Sequence, residues 1–356
     1  MFSEEEVQRY SRQFILPGFG KKAQEKLKAS AVLVVGAGGL GCPILQYLVA
    51  AGVGRVGIVD GDHVSMSNLH RQILYTTEDI GSNKAYTAMV KLQQMNPHVT
   101  FDAYEEFLTN ENALEILADY DVIVDGSDNF EARYLVNDAC VMLDKPFVYG
   151  AVLTYEGQVS VFNLDDGPTY RCLFPTPPKP EESPNCAEIG VLGVLPGLIG
   201  SHQALETLKV LTGIGECLSG RLQLINGLTN SSYTIKIKPI PENKQIDALS
   251  DYQLFCGSKP SGCPLVEPTK LKEKLAKEPL LLVDVREPHE YDAFNIGGKN
   301  IPLSDLENQL DTLSTSEEII LICQSGLRSE KGCLQLMEKG YTRVASLQGG
   351  LDQWRG

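Results

Sequence analysis

Short, continuous runs of apolar residues alternate with stretches of helical periodicity along the first part of the chain. The runs at 31–35, 56–60 and 120–125 are rich in β-branched residues; a glycine follows the first, and an aspartate ends each of the other two. Runs of this kind are typical of parallel strands that are buried on both faces. Strands that alternate with helices predict a doubly wound α/β fold with a parallel sheet.

The pattern changes beyond residue 146. Strands are predicted at 147–152 and 157–163 with a turn between them, and residues 221–238 alternate like a hairpin. Short connections of this kind join antiparallel neighbours, whereas a parallel pair needs a long crossover. We therefore expect an antiparallel extension on the edge of the parallel sheet.

A second change in composition marks a domain boundary. Residues 241–268 contain prolines, glycines and two cysteines, which favours a linker. Buried apolar runs follow at 280–285 and 319–323, interleaved with helical segments. The pattern predicts an N-terminal domain over 1–240, a linker over 241–268 and a smaller α/β domain over 269–356.

Composition and charge exclude several classes of protein. The 356 residues hold 31 Lys and Arg against 46 Asp and Glu, a net charge of −15, which disfavours binding to nucleic acid or to anionic membranes. No apolar run approaches the roughly 18 residues of a membrane helix, and the acidic N-terminus is unlike a signal peptide. Nine dispersed cysteines favour a reducing compartment over a disulfide framework, so we expect a cytoplasmic protein.

A glycine-rich turn follows the first predicted strand. Gly36, Gly38 and Gly41 fit the pattern G-x-G-x-x-G between a strand and a helix. Such a turn lets the backbone approach phosphates at the positive end of a helix, as in Rossmann-like domains. Asp60 ends the next strand, where it is placed to accept hydrogen bonds from a ribose. A nucleotide site is predicted, and the alternative is a tight turn with no ligand.

Charged residues at the following strand ends argue against hydride transfer. Arg71 lies in a polar stretch after the second strand, and Lys84 begins the next helix. Cations around a triphosphate suit an enzyme that attacks it, because negative charge develops during that reaction. Asp128 and Asn129 follow the fourth strand, where a carboxylate is a natural Mg²⁺ ligand. Singly, these residues also fit ordinary roles, such as a surface ion pair or a helix cap.

Together these motifs resemble the ubiquitin-activating-enzyme-like adenylyltransferases, and the molybdopterin-synthase and thiamine sulfur-carrier (ThiF-like) branch is closest. The resemblance covers about 4–240. It implies adenylation, with ATP and Mg²⁺, of the C-terminal Gly-Gly carboxylate of a small ubiquitin-like protein. It also implies an ATP site, with Asp128 as the metal ligand, formed by Gly36, Gly38, Gly39, Gly41, Asp60, Ser67, Asn68, Leu69, His70, Arg71, Lys84, Asp128 and Asn129.

Residues 9–13 match the N-terminal motif of the same family. In that family the second arginine of the motif reaches the triphosphate of the neighbouring subunit. The resemblance therefore implies that Arg12 is catalytic and that the protein is a homodimer. Without the resemblance, Arg12 would be interpreted as an ordinary arginine on a helix surface.

A reactive thiol is predicted at Cys186. This cysteine follows a proline-rich, polar stretch, and an accessible thiolate reacts more readily than a buried thiol. The resembling family places its acyl-accepting or persulfide-attacking cysteine here.

The family also usually holds a structural zinc with two C-x-x-C pairs. In this chain Thr169 replaces the first cysteine of the pair that ends at Cys172, and only Cys256 and Cys263 stand in for the second pair. Three scattered cysteines fall short of four tetrahedral ligands, so zinc is doubtful and no ligand is assigned.

The last candidate is the loop 323–329, between a buried strand and a helix. Backbone N–H groups of such a loop, together with Arg328, favour a thiolate at Cys323 and hold an anionic sulfur or oxyanion. Loops of the form C-x₅-R also serve phosphatases. The segments 284–291, 301–303 and 349–354 resemble a rhodanese domain, which implies a persulfide on Cys323.

The two resemblances predict an adenylyltransferase with sulfurtransferase activity. The persulfide of Cys323 would attack the acyl-adenylate to give a thiocarboxylate, and Cys186 would resolve the acyl disulfide or hold the acyl group. A cysteine desulfurase or thiosulfate would supply sulfur, and molybdopterin synthesis, thiamine synthesis and tRNA thiolation all fit this chemistry. Two alternatives stay open: an enzyme that forms an amide or thioester and has an accessory rhodanese domain, and a non-catalytic scaffold for a ubiquitin-like partner.

Overall fold

The computed structural model describes residues 1–177, 190–250, 252, 262–275, 280–314 and 317–354. The chain divides into two compact units, Met1–Gly257 and Ser258–Gly356. No helix in the described ranges is long and apolar enough to cross a membrane.

The first unit contains an eight-stranded sheet in the order β3-β2-β1-β4-β5-β6-β7-β8. The pairs from β3 to β5 are parallel, and the pairs from β5 to β8 are antiparallel. The predicted doubly wound sheet with an antiparallel extension is therefore confirmed. Its strands are β1 (Ala31–Val35), β2 (Arg55–Val59), β3 (Thr100–Tyr104), β4 (Val122–Asp125), β5 (Phe147–Leu153), β6 (Glu156–Phe162), β7 (Arg221–Asn226) and β8 (Ser231–Lys236).

Helices cover both faces of this sheet. One apolar core joins Leu48, Leu92 and Ile199 to the sheet, and a second core on the other face contains Leu117 and Leu135. The described helices are α1 (Glu4–Arg9), α2 (Ser11–Phe14), α3 (Gly20–Ala29), α4 (Gly41–Ala51), α5 (Lys84–Met95), α6 (Ala113–Ala118), α7 (Phe130–Met142) and α8 (Val194–Thr212).

β1 lies at the centre of the parallel part and pairs with β2 on one side and β4 on the other. The chain order reverses at this strand. In open α/β sheets the carboxyl ends of the strands at such a reversal form a crevice, and ligands bind there. The topology therefore places the glycine turn, Asp60 and the residues after β4 around one crevice.

The second unit contains a five-stranded parallel sheet in the order β11-β10-β12-β13-β9. Val283 and Leu321 face one apolar core, and Ile320 and Ile322 face another on the opposite side of the sheet. The predicted smaller α/β domain is confirmed. Its elements are β9 (Leu265–Val266), α9 (Pro268–Leu275), β10 (Leu281–Asp284), α10 (Pro288–Ala293), β11 (Lys299–Asn300), β12 (Ile319–Ile322), α11 (Leu327–Glu338), β13 (Val344–Leu347) and α12 (Gly350–Trp354).

Ordered residues extend from both sides into the segment 241–268 that the sequence predicts as a linker. A short 3₁₀ helix at Pro241–Lys244 and the buried Tyr252 belong to the first unit, and β9 pairs with β13 in the second. A disulfide joins Cys263 to Cys333. The sequence does not predict this pair, because no local pattern links residues 70 positions apart.

Candidate active sites

A cavity of about 790 Å³ opens at the carboxyl ends of β1, β2 and β4. This volume lies within the usual range for small-molecule sites. Most residues that the sequence assigns to ATP line it, whereas Gly41 and residues 67–70 do not. The predicted residues on the cavity wall are Gly36, Gly38, Gly39, Asp60, Arg71, Lys84, Asp128 and Asn129.

The glycines of the turn have two different tasks. Gly36 has a φ of +90°, and a Cβ on Gly41 would lie 2.0 Å from the carbonyl oxygen of Gly36, so neither position tolerates a side chain. The nearest contact of a Cβ on Gly38 would be the Nε2 of Gln72, at an ordinary van der Waals distance of 3.5 Å. Gly36 and Gly41 therefore build the turn, and Gly38 presents open backbone to a ligand.

Asp60 fixes this turn as well as lining the cavity. Its Oδ2 accepts a hydrogen bond of 2.8 Å from the N–H of Ala37, and its Oδ1 accepts one of 2.8 Å from the N–H of Asp62. Burial raises the pKa of its carboxyl group, although Lys84 and the two amides oppose that shift. The carboxylate thus connects the glycine turn after β1 to the segment that follows β2.

Two of the cations that line the cavity are the ones the sequence predicts, and each has a carboxylate or amide partner. The Nζ of Lys84 lies 3.0 Å from the Oδ2 of Asp62, and its side chain is only 6% exposed. The Nη2 of Arg71 donates to the Oδ1 of Asn68 at 2.8 Å, and its Nη1 donates to the carbonyl of Ser67 at 3.3 Å. Ser67 and Asn68 therefore orient Arg71, which explains how they join the site without lining it.

Asp128 and Asn129 lie at the rim of the cavity. Asp128 is exposed, and the Oδ1 of Asn129 accepts a hydrogen bond of 2.8 Å from the N–H of Ala132, which caps α7. The ordinary capping role considered from the sequence thus applies to Asn129. Within the described ranges no three His, Cys, Asp or Glu side chains converge as a metal site. Asp128 is one of several carboxylates that line the cavity, with Asp60, Asp62, Glu111 and Glu131.

Sequence reasoning missed a buried ion pair beneath the cavity. The Nε of Arg133 lies 3.9 Å from the Oδ2 of Asp125, and neither atom has a hydrogen-bond partner. Burial raises the pKa of Asp125 to about 6, although Arg133 opposes that shift. Arg133 also lines the cavity. The sequence could have placed Arg133 near the site, because a helical side chain points back toward the helix N-terminus and Arg133 follows Asn129 by one turn.

Other residues singled out from the sequence in the first unit lie away from the cavity or outside the described residues. Arg12 is exposed on α2 and does not line the cavity of its own chain. Cys172 is half-buried, and its pKa is lowered because hydrogen bonds from Thr169 and Ile240 outweigh the effect of burial. Cys186 lies outside the described residues.

Cys256 also lies outside the described residues, and Cys263 is taken up by the disulfide. The three cysteines considered for zinc are therefore not seen together in the described part of the chain.

In the second unit, Cys323 is buried at the carboxyl end of β12. Its Sγ accepts hydrogen bonds from the N–H of Gly326 at 3.1 Å and from the N–H of Ser329 at 3.3 Å. Gly326 has a φ of +97°, which bends the loop so that these amides converge on the sulfur. The Oγ of Ser346 donates to that of Ser329 at 2.7 Å and fixes the far side of the loop.

Arg328 of this loop forms a two-point ion pair with Glu290. Its Nη1 and Nη2 donate to the two carboxylate oxygens of Glu290, both at 2.7 Å. The hydrogen bonds from Arg328 lower the pKa of Glu290, against a smaller opposing effect of burial. No local pattern indicates this partner, because Glu290 lies on α10, 38 residues earlier.

The structure combines an α/β domain that has a cavity at its glycine turn with a domain that has a buried cysteine loop. Residues 10–247 match the ThiF family, and residues 267–356 match the rhodanese-like domain. The chain therefore belongs to the ThiF family and carries a rhodanese-like domain. Both resemblances found in the sequence are confirmed.

Named relatives agree with this assignment. The chain is 54% identical over 267 residues to a sulfur carrier protein adenylyltransferase of Thermus thermophilus, covering 72% of this chain and 98% of that protein. It is 41% identical over 366 residues to a probable adenylyltransferase/sulfurtransferase, MoeZ, of Mycobacterium tuberculosis, covering 99% and 93%. It is 40% identical over 380 residues to the adenylyltransferase and sulfurtransferase MOCS3 of Drosophila persimilis, covering 99% and 84%. The predicted class, an adenylyltransferase joined to a sulfurtransferase, is confirmed.

Solved structures agree on the fold. The crystal structure of E. coli MccB with MccA-N7isoASN superposes with a TM-score of 0.60 at 20% identity, covering 67% of this chain and 74% of that one. At this identity the likeness supports the fold alone.

Proposed function

We propose that this chain adenylates the C-terminal Gly-Gly carboxylate of a small ubiquitin-like sulfur carrier and then passes it sulfur from a persulfide on Cys323. The product is a carrier thiocarboxylate. One observation carries the proposal: a cavity lined by a glycine turn, Arg71 and Lys84 occurs in the same chain as a buried thiol that accepts hydrogen bonds from two backbone amides. The alternative scaffold function has no use for either arrangement.

The first step belongs to the cavity. A carboxylate oxygen of the carrier attacks the α-phosphorus of ATP, a new acyl phosphate bond forms, and pyrophosphate leaves with the electrons of the broken P–O bond. Negative charge grows on the leaving phosphates, where Arg71 and Lys84 would stabilise it. The open backbone at Gly38, next to the N-terminus of α4, would bind a phosphate.

Magnesium fits the rim of this cavity. Mg²⁺ prefers oxygen ligands and is commonly held by one or two carboxylates together with substrate phosphates. Asp128 offers such a carboxylate at the exposed edge, beside the proposed phosphate site. When bound there, the ion would neutralise charge on the phosphates.

The second step belongs to Cys323. Its persulfide attacks the acyl-adenylate carbonyl, AMP leaves, and an acyl disulfide joins the carrier to Cys323. The thiolate of Cys186 then attacks the Cys323 sulfur of that bond, which releases the carrier thiocarboxylate and leaves a disulfide between the two cysteines. An external thiol reduces that disulfide. Amide donors from Gly326 and Ser329 would hold the anionic sulfur through these exchanges.

We also propose that the protein works as a cytoplasmic homodimer. The exposed position of Arg12, away from the cavity of its own chain, agrees with a role at the neighbouring subunit's site. A cysteine desulfurase or thiosulfate would supply sulfur. Carriers for molybdenum cofactor, thiamine or tRNA thiolation would present the same Gly-Gly terminus.

The test is exchange of labelled pyrophosphate into ATP that depends on a purified candidate carrier. Wild-type protein should exchange, and Asp128→Ala should lower the rate by about 10²–10³, the usual cost of one transition-state charge contact. Asp166→Ala is the matched control, because Asp166 is exposed and does not line the cavity. A scaffold gives no exchange with any carrier. Exchange without thiocarboxylate, when a sulfur donor is present, would favour the amide-forming alternative.

A further inference from the structure

The ion pair between Arg328 and Glu290 neutralises the principal cation of the sulfur loop. Both guanidinium ends are engaged at 2.7 Å, and the two side chains are only 18% and 27% exposed. Water therefore screens the pair poorly. Two-point pairs of this kind are also geometrically specific, so the guanidinium is held in one orientation.

The second cation next to the loop is engaged as well. The Nη1 of Arg286 donates to the side-chain oxygen of Gln324 at 3.3 Å, but its Nη2 lies 2.7 Å from the Oδ2 of Asp284. Both members of that pair are almost completely buried. The two arginines that the described hydrogen bonds connect to the loop are thus each paired with a carboxylate.

Loading Cys323 from thiosulfate is sensitive to this charge. The thiolate attacks the outer sulfur, a new S–S bond forms, the S–S bond of thiosulfate breaks, and sulfite leaves with the electron pair. The donor arrives with two negative charges and the leaving group departs with two. A cation that is free to bind oxygens favours such a donor, whereas a cation committed to a carboxylate favours it less.

We infer that Glu290 is a specificity-determining residue of the sulfur-donor site. By holding Arg328, it disfavours doubly charged donors such as thiosulfate relative to donors that carry at most one negative charge, such as a thiol persulfide. The inference rests on the proposed function only in taking Cys323 as the sulfur-accepting thiol. Glu290 acts through Arg328 and does not itself touch the reacting sulfur.

The experiment compares two donors that differ by one charge, thiosulfate and methanethiosulfonate, with cyanide as acceptor and the full chain as enzyme. Each turnover converts the donor to sulfite or methanesulfinate and cyanide to thiocyanate, which is measured. The readout is the ratio of kcat/KM for thiosulfate to kcat/KM for methanethiosulfonate. This ratio does not depend on how much of a variant is folded.

Glu290→Gln removes the charge and keeps the shape of the side chain. It should raise the ratio about tenfold, mainly by lowering the KM for thiosulfate, because a charge-assisted contact becomes available to the dianion. Asp292→Asn is the matched control, an exposed carboxylate on the same helix α10 with the same change in net charge, and it should leave the ratio within about twofold. In a variant that already carries Arg328→Gln, adding Glu290→Gln should leave the ratio of the two kcat/KM values unchanged.

An unchanged ratio in Glu290→Gln, or an equal rise in Asp292→Asn, would overturn the inference. So would a gain from Glu290→Gln that persists when Arg328 is absent. The proposed function is judged separately by the carrier mass: persulfide loading with the expected donor preference, but no thiocarboxylate, would refute the function and leave the donor inference standing.

Discussion

The nucleotide cavity and the sulfur loop are assembled in different ways. The cavity draws its wall from residues between Val35 and Tyr252, which the sheet brings together at one crevice. The sulfur site consists mainly of consecutive residues after β12 and in the first turn of α11, where the N–H groups of Gly326 and Ser329 hold the thiol. Recognition in the cavity therefore depends on side chains from distant segments, whereas the sulfur of Cys323 is held chiefly by the backbone of its own loop.

The two sites also differ in how charge is arranged. In the cavity, Asp128 is exposed at the rim while Asp125 and Arg133 are buried beneath it. At the loop, the thiol is buried and the ion pair of Arg328 and Glu290 lies partly open to solvent. We accordingly expect substitutions of single charged side chains to lower the activity of the cavity more than the activity of the loop.

The largest expected effect concerns the proposal that Arg12 of a second subunit completes the cavity. Mixed dimers of Arg12→Ala and Asp128→Ala subunits should recover up to about half of the active sites of wild type, although each variant alone keeps very little activity, because symmetric sites complement each other. Carrier-dependent pyrophosphate exchange measures the recovery, and differently tagged subunits confirm that mixed dimers form. If mixed dimers form and no activity returns, Arg12 does not act across an interface.

A smaller effect is expected from the ion pair below the cavity. Arg133→Leu leaves Asp125 buried without its counter-charge, which should destabilise the first unit by at most about 3 kcal/mol, the low end of the range for broken buried pairs, because Asp125 can take up a proton. Thermal unfolding followed by circular dichroism measures this loss. Arg133→Lys keeps the charge and should recover part of it. Equal unfolding temperatures for Arg133→Leu and wild type would mean that the pair does not support the cavity floor.

The sequence predicted the parts of both sites that local patterns encode. The glycine turn, the strand-end Asp60 and the loop at Cys323 each combine a short motif with a strand and a helix, and the structure has these elements in the expected order. The contact of Arg328 with Glu290 and the bond between Cys263 and Cys333 join segments 38 and 70 residues apart. No periodicity connects such residues, so only the folded chain reveals them.

Residues 67–70 illustrate an intermediate case. The family resemblance implied that they belong to the ATP site, and the structure has Ser67 and Asn68 holding Arg71 from outside the cavity wall. The motif identified the segment but not which side chain faces the ligand. That detail depends on the 3₁₀ turn at Met66–Asn68, which the apolar pattern does not predict.

The central claim is that one chain activates a carboxylate at the cavity and delivers sulfur from Cys323. The most direct measurement is the intact mass of the carrier after incubation with ATP, a sulfur donor and the Cys323→Ser variant. Cys172→Ser serves as the control, because Cys172 is the partly exposed thiol whose pKa is lowered. The account predicts that Cys323→Ser still forms the carrier adenylate but no thiocarboxylate, whereas Cys172→Ser forms both. Thiocarboxylate at wild-type yield from Cys323→Ser would contradict the account.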